Sequence, residues 1–409
     1  MRHPNLTLER SLSIAFVATC PPRQCGIATF SSDLERALKA ADPSVLIQWA
    51  AINEATSIHP YGPQVRWRIR QGDPDSYRAA AEHLNVAAID VVSLQHEFGL
   101  YGAWGDPFED HLVSFLEVLQ KPLVTTLHSV LPDPSPSISA AVHRIVQRSH
   151  LVVVMAERAR SLLIQDYGVA QEKVCVVPHG VPPVHPHGRT RMKEQFDLSS
   201  RTIITTFGLV DPRKGLEYMI EAMQAVREYD PSALYLVVGK THPELVRREG
   251  EAYRRQLWQL IKDRGLQQHV EFVDEYLTQA QIVDYLLASD VYVTPYLDPQ
   301  QITSGTLAYA LGAGKAIVST PYPHAVEVLT AERGILVPFR SQSALAEATL
   351  RILGDPKLKR RLEHEAYAYG RETAWPRVGE RMLAILRSAA FWSDLPPGEV
   401  RVLAGTVGG

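Results

Sequence analysis

Residues 202–228 read TIITTFGLVDPRKGLEYMIEAMQAVRE, and this stretch decides the fold. Thr202–Phe207 is a short run rich in β-branched residues with no polar alternation, as expected of a strand buried on both faces. A loop bounded by Gly208 and Gly215 follows, and Leu216–Glu228 then carries apolar residues at helical spacing. Strand, loop and helix in that order form half of a βαβ unit.

The unit recurs in both directions. Downstream, Ala233–Val238, Val270–Val273, Val291–Pro295, Ala316–Ser319 and Gly334–Val337 read as strands. The helices between them are Ala252–Arg264, Thr278–Ala288, Thr306–Gly312, His324–Leu329 and Ser341–Leu353. Upstream, the strands are Ile14–Ala18, Val45–Ala51, Val91–Gln95, Leu123–Leu127, Val152–Met155 and Val174–Val177, with helices at Ser31–Ala41, Ser76–Leu84, Pro107–Leu119 and Glu157–Tyr167. The expected class is therefore α/β, with two Rossmann-like, doubly wound parallel-sheet domains facing each other across a cleft. Boundaries follow from the Pro/Gly-rich join Pro182–Gly188: residues 1–185 form the first domain and 186–375 the second. Residues 376–392 form a last helix, and 393–409 a flexible tail.

Length and composition agree with two globular domains. The 409 residues exceed one compact core, and 45% hydrophobic with 21% charged residues is ordinary for a globular chain. A net charge of -3 gives no bulk attraction to nucleic acid, and the local run Arg66, Arg68 and Arg70 reads as a solvated face. Any membrane association is at most peripheral, because no stretch has the ~20 apolar residues of a span. Three cysteines without a CxxC pair imply neither a disulfide framework nor a zinc site, and the expected location is cytoplasmic. Leu12–Cys20 reads as a buried strand, not as a signal peptide.

Three loops carry chemistry. Gly26, in Cys25-Gly26-Ile27-Ala28, stands at a helix mouth where a ligand could approach the backbone; a structural turn would look the same. The absence of GxGxxG argues against a dinucleotide-dependent dehydrogenase. In Gly208–Gly215, the adjacent cations Arg213 and Lys214 could neutralise phosphate, one as a fork and one as a point charge. Ser304, Gly305 and Thr306 open a helix and offer hydroxyls and N–H groups to an anion, although a capping serine looks alike in any enzyme. No cluster of metal ligands appears in the sequence.

Taken in order, these motifs resemble the retaining nucleotide-sugar glycosyltransferases of family 4, which have the GT-B fold. Gly208–Gly215 resembles the family's G-R-L-x-x-x-K-G loop, and Lys214 matches its lysine. Asp290–Tyr296, Ala308–Val318, Glu327, Gly334–Pro338 and Pro178–Val181 resemble further motifs of the same set. The chain departs from the pattern at Gln301 and Tyr309, which replace the two glutamates of E-x7-E, and at Leu209, which replaces the arginine. His128, in Thr125-Thr126-Leu127-His128, matches a histidine that the family keeps near the transferred sugar.

The resemblance implies a hexosyltransferase that uses a nucleotide-sugar donor and a hydroxyl acceptor, with retention and with no metal or other cofactor. His128, Lys214 and Arg213 would be catalytic. Gly26, Gly208, Gln301, Thr303, Ser304, Gly305, Thr306, Tyr309, Glu327 and His242 would bind the donor, and His96 and Glu97 would face the acceptor. Loss of both glutamates keeps two alternatives open, a glycoside phosphorylase on the same fold and a degenerate sugar-phosphate binding protein.

Overall fold

The computed structural model describes residues 11–54, 59–105, 108–330 and 332–392. The chain divides into two compact units, Met1–Gly180 with Trp375–Gly409, and Val181–Ala374.

The first unit alternates β1 (Ser13–Ala18), α1 (Gly26–Ala41), β2 (Leu46–Asn53), β3 (Val65–Arg70), α2 (Pro74–Val86) and β4 (Val91–His96). It continues with α3 (Leu112–Val118), β5 (Leu123–Leu127), α4 (Pro136–Arg148), β6 (Leu151–Val154), α5 (Glu157–Gln165) and β7 (Val174–Val176). The seven strands are parallel in the order β3-β2-β1-β4-β5-β6-β7. All six residues of β1 and of β4 are buried, as expected of central strands covered on both faces. Phe16 on β1 meets Trp49 on β2 edge-on at 5.0 Å.

The second unit runs α6 (Arg189–Gln195), β8 (Thr202–Phe207), α7 (Leu216–Tyr229), β9 (Ala233–Val238), α8 (Pro243–Glu249), α9 (Ala252–Asp263) and β10 (Val270–Val273). There follow α10 (Gln279–Ala288), β11 (Val291–Thr294), α11 (Gly305–Gly312), β12 (Ile317–Ser319), α12 (Pro323–Val328), β13 (Ile335–Leu336), α13 (Gln342–Gly354) and α14 (Pro356–Glu372). Its six strands are also parallel, in the order β10-β9-β8-β11-β12-β13. The last helix, α15 (Trp375–Trp392), packs on α1 in the first unit, with Arg387 paired to Asp42 at 2.5 Å.

Both sheets reverse direction of growth at one point, between β1 and β4 and between β8 and β11. The crossovers on either side of such a point leave opposite faces of the sheet, and the loops after the strands open a space there for ligands. The other end of the second sheet is closed by charge. Asp290 receives Lys193 at 2.5 Å and Lys359 at 2.9 Å. Burial raises the Asp290 pKa, but these cations outweigh it and hold the carboxyl at about 2. Lys315, 1% exposed, donates to the carbonyls of Leu287 and Ser289 at 3.3 and 3.2 Å.

Several elements escape the apolar-run pattern. β3 alternates exposed Arg66, Arg68 and Arg70 with partly or fully buried Val65, Trp67 and Ile69, so charge hides an edge strand. The helices α4, α6, α8 and α14 were not expected, and α3 begins at Leu112, not at residue 107, which lies outside the described residues. The stretch Pro182–Gly188 lies within the second unit, where Val181 bridges Ala374. The tail after Trp392 lies outside the described residues. No described helix is long and apolar enough to cross a membrane.

Candidate functional site

In the second unit, the loops after β8, β9 and β11 are tied together by backbone bonds. Val210 N–H donates to Lys240 O at 2.8 Å, His242 N–H to Val210 O at 2.9 Å, and Leu297 N–H to Arg213 O at 2.8 Å. Two glycines permit this closeness. Gly239 has φ +138, and a Cβ there would stand 2.1 Å from Gly208 O. Gly215, with φ +59, caps α7, and a Cβ there would stand 2.3 Å from Pro295 O.

Lys214 ends the single turn Pro212–Lys214, and its Nζ sits 3.7 Å from the centre of the Tyr296 ring. No hydrogen-bond acceptor or ion-pair partner takes that ammonium among the described residues. Burial, then the charge of Arg213, lowers its pKa to about 8. Tyr296 Oη and Thr306 Oγ1 share a hydrogen bond of 2.6 Å, and Thr306 Oγ1 lies 3.1 Å from Ser304 Oγ. The lysine is thereby fixed beside the start of α11.

Ser304 is more occupied than its position in the sequence suggests. Its hydroxyl accepts Leu307 N–H at 3.3 Å, and its own N–H donates to His324 Nδ1 at 2.9 Å. The N–H groups of Gly305 and Thr306, in the first turn, have no protein acceptor among the described residues. Thr303 Oγ1 is buried without a partner. What this corner offers an anion is therefore two amides, an unpaired ammonium and Thr303, more than the hydroxyl of Ser304.

Other expected donor residues are placed differently from one another. Arg213 is exposed, and its guanidinium already grips Asp211 with two bonds of 2.9 and 3.0 Å. Burial raises the Asp211 pKa, but the bonds and charge of Arg213 prevail and hold it below the ordinary range. Tyr309 points into the core, 7% exposed, where its hydroxyl accepts Gln279 Nε2 at 2.9 Å. Gln301 donates to Thr303 O at 3.2 Å. Gly208 lies beside Thr306, His242 is half-buried at the start of α8, and Glu327 is half-buried on α12 near Tyr369.

The first unit gathers its candidates at the ends of β4 and β5. His128 and His96 are 9% and 2% exposed, and His128 N–H donates to His96 O at 2.9 Å. Burial, then the fields of His179 and His96, lowers the His128 pKa to about 3. Burial lowers those of His96 and His179 to about 4. All three rings are thus neutral at ordinary pH. Phe30 meets His128 edge-on at 4.7 Å and His179 at 5.1 Å. His96 stacks on Tyr101 at 5.8 Å, and its Nδ1 is buried without a partner. Glu97 accepts Ser129 Oγ–H at 2.9 Å and Phe98 N–H at 3.0 Å. Beyond it, Phe98, Phe108 and the 57%-exposed Trp104 form an aromatic shelf, with centres 5.3 to 6.1 Å apart. Gly26 opens α1 behind the Cys25 cap, with open space where a Cβ would stand.

Tyr296, Gln95 and His179 were not among the expected site residues. The signals were present: an aromatic just past a strand end, a polar residue inside an apolar strand, and a histidine where the resembling motif has asparagine. No group of three His, Cys, Asp or Glu side chains is placed to hold a metal among the described residues.

Residues 25–185 match the model of "Glycosyltransferase Family 4", and residues 189–369 that of "Glycosyl transferases group 1". A GDP-mannose-dependent monoacylated alpha-(1-6)-phosphatidylinositol monomannoside mannosyltransferase of Corynebacterium glutamicum is 22% identical over 90% of this chain and 96% of its own. A D-inositol 3-phosphate glycosyltransferase from the same species is 21% identical over 66% of this chain and 67% of its own. Among solved structures, Anabaena HepE in complex with UDP and glucose superposes with a TM-score of 0.72 at 16% identity, covering 92% of this chain and all of the other. Sucrose-phosphate synthase from Thermosynechococcus elongatus also gives 0.72, at 18% identity over 94% of this chain and all of the other. The chain belongs to the group 1, family 4 glycosyltransferases and has their GT-B fold.

Proposed function

We propose that this glycosyltransferase is a retaining hexosyltransferase that takes its sugar from a nucleoside diphosphate hexose. The observation that carries this reading is the unpaired, half-buried ammonium of Lys214, fixed over Tyr296 beside the open amides of Gly305 and Thr306. Negative charge grows on the donor phosphate as the glycosidic bond breaks, and preorganised positive charge at that place lowers the barrier. Arg213 would join only by releasing Asp211. The acceptor hydroxyl would attack from the face the phosphate leaves and pass its proton to a phosphate oxygen, so no protein carboxylate need form a covalent bond. The positive charge comes from the chain itself, and turnover is independent of a divalent cation.

The acceptor would meet the first unit's loops, where Glu97 and the shelf of Phe98, Trp104 and Phe108 offer an oxygen and flat apolar faces. A mannose or glucose donor agrees with the names of the relatives. We place the reaction in the cytoplasm, in keeping with three free cysteines.

Calorimetry with UDP, GDP, ADP and sugar 1-phosphates, followed by turnover with an acceptor panel in EDTA, tests this. Micromolar binding of one nucleoside diphosphate and EDTA-insensitive transfer are expected. One observation favours a second reading: with Tyr309 tied to Gln279, no carboxylate stands on that turn of α11 to hold a ribose. Binding of phosphate or sugar 1-phosphate alone would make the protein a phosphorylase, and binding without any turnover would make it a sugar-phosphate binding protein.

A further inference from the structure

Gln95 lies on β4, fully buried and flanked along the strand by Leu94 and His96. Its side-chain nitrogen is 3.3 Å from Ser93 Oγ and 3.4 Å from Thr126 Oγ1, both able to accept a hydrogen bond. In the structure the amide oxygen faces His128, with Oε1 3.0 Å from Nε2. A carbonyl oxygen can only accept, so His128 Nε2 must carry a hydrogen. The ring is neutral, because burial opposes its protonation, and a neutral imidazole with Nε2–H has a lone pair on Nδ1. No described protein group donates to that Nδ1.

We propose that Gln95 is a positioning residue: it locks His128 in the Nε2–H tautomer, so that Nδ1 receives a hydrogen bond from a hydroxyl of the sugar substrate. Whatever meets Nδ1 must bring a hydrogen. A hydroxyl does so, whereas a phosphate oxygen, a ring oxygen or a carbonyl is turned away. His128 therefore selects for one hydroxyl and does not serve as an acid. The tautomer stands independently of the reaction; that the partner is a sugar hydroxyl rests on the transferase reading.

The test uses the full chain labelled with 15N-histidine, with the His128 signals assigned by their loss in His128→Gln. In the unliganded wild type, Nε2 should show the shift of a protonated ring nitrogen and Nδ1 that of an unprotonated one. Gln95→Leu removes the acceptor; it should populate the Nδ1–H form and lower kcat/KM about tenfold, the worth of one hydrogen bond to a buried group. A wild-type-like thermal melt of Gln95→Leu, read beside the tautomer shift, separates the lost acceptor from a loss of folding; a changed tautomer with an unchanged melt is expected. A donor or acceptor analogue lacking the selected hydroxyl should lose about tenfold with the wild type and much less with Gln95→Leu. A wild-type His128 protonated on Nδ1 would overturn the proposal, as would an unchanged tautomer in Gln95→Leu. If the shifts are as expected but no nucleotide sugar supports turnover, the transferase reading fails and the tautomer lock stands.

Discussion

Two lysines of the second unit, Lys315 fully buried and Lys214 half-buried, are treated by the protein in opposite ways. Burial, then the field of Arg189, lowers the pKa of Lys315 to about 7; this lysine donates to two carbonyls, with Asp290 and Glu363 close enough to act on it. Lys214, with a pKa of about 8, rests over an aromatic ring and gives its hydrogens to no described protein atom. A cation withdrawn from water needs acceptors; here the fold supplies them to Lys315 and none to the half-buried Lys214, which on our proposal leaves room for an anion. The difference separates a lysine that seals the sheet from one that, on our proposal, awaits a ligand.

The largest effect that could break this contrast is kinetic. Lys214→Ala should lower kcat/KM by about 10²-fold or more in steady-state assays with the working donor, the loss typical of one main charge stabiliser. Near-normal turnover would remove Lys214 from the mechanism. Next comes pH. The free enzyme loses the Lys214 charge as pH rises through about 8, so kcat/KM should fall about tenfold per pH unit above that value. Lys214→Arg should abolish this limb.

Lys315→Met should leave kcat/KM unchanged and act on stability alone. The pKa of Lys315 is about 7 in the folded chain against 10.5 for the ordinary group. Between those values the unfolded chain binds the extra proton, so this residue makes wild-type stability rise with pH and fall as pH drops toward 7. Thermal melts from pH 7 to 9.5 should show a shallower rise in the methionine variant. The smallest effect is expected of Tyr309→Phe, which loses one bond to Gln279: about 1 kcal/mol in denaturant titration, with unchanged kinetics. A marked rise in donor KM would mean that Tyr309 reaches the ligand.

The parallel sheets were legible because buried strands must be apolar on both faces, and Thr202–Phe207 and its counterparts say so directly. β3 was not, because on an edge every second side chain meets water, and arginines there look like a surface loop. Lys214 stood out from its neighbours in sequence as a candidate; its partner Tyr296 did not, because the two are brought together by separate loops. Tyr309 illustrates the opposite limit. Residues 307–312 of α11 are all buried, so the side chain aligned with a binding position also packs in the core, which its place in the motif does not announce. The binding of Arg213 by Asp211, two residues earlier, is a local contact that sequence alone contains but does not announce.

β3 has one further consequence. It ends the seven-stranded sheet, and among the described residues no strand pairs with its outer side, a template on which another extended chain could assemble. Arg66, Arg68 and Arg70 project from it into solvent, and a second copy laid against the edge would bring six like charges together. Charge carried on an edge strand in this way is a general means by which sheets resist pairing with other chains.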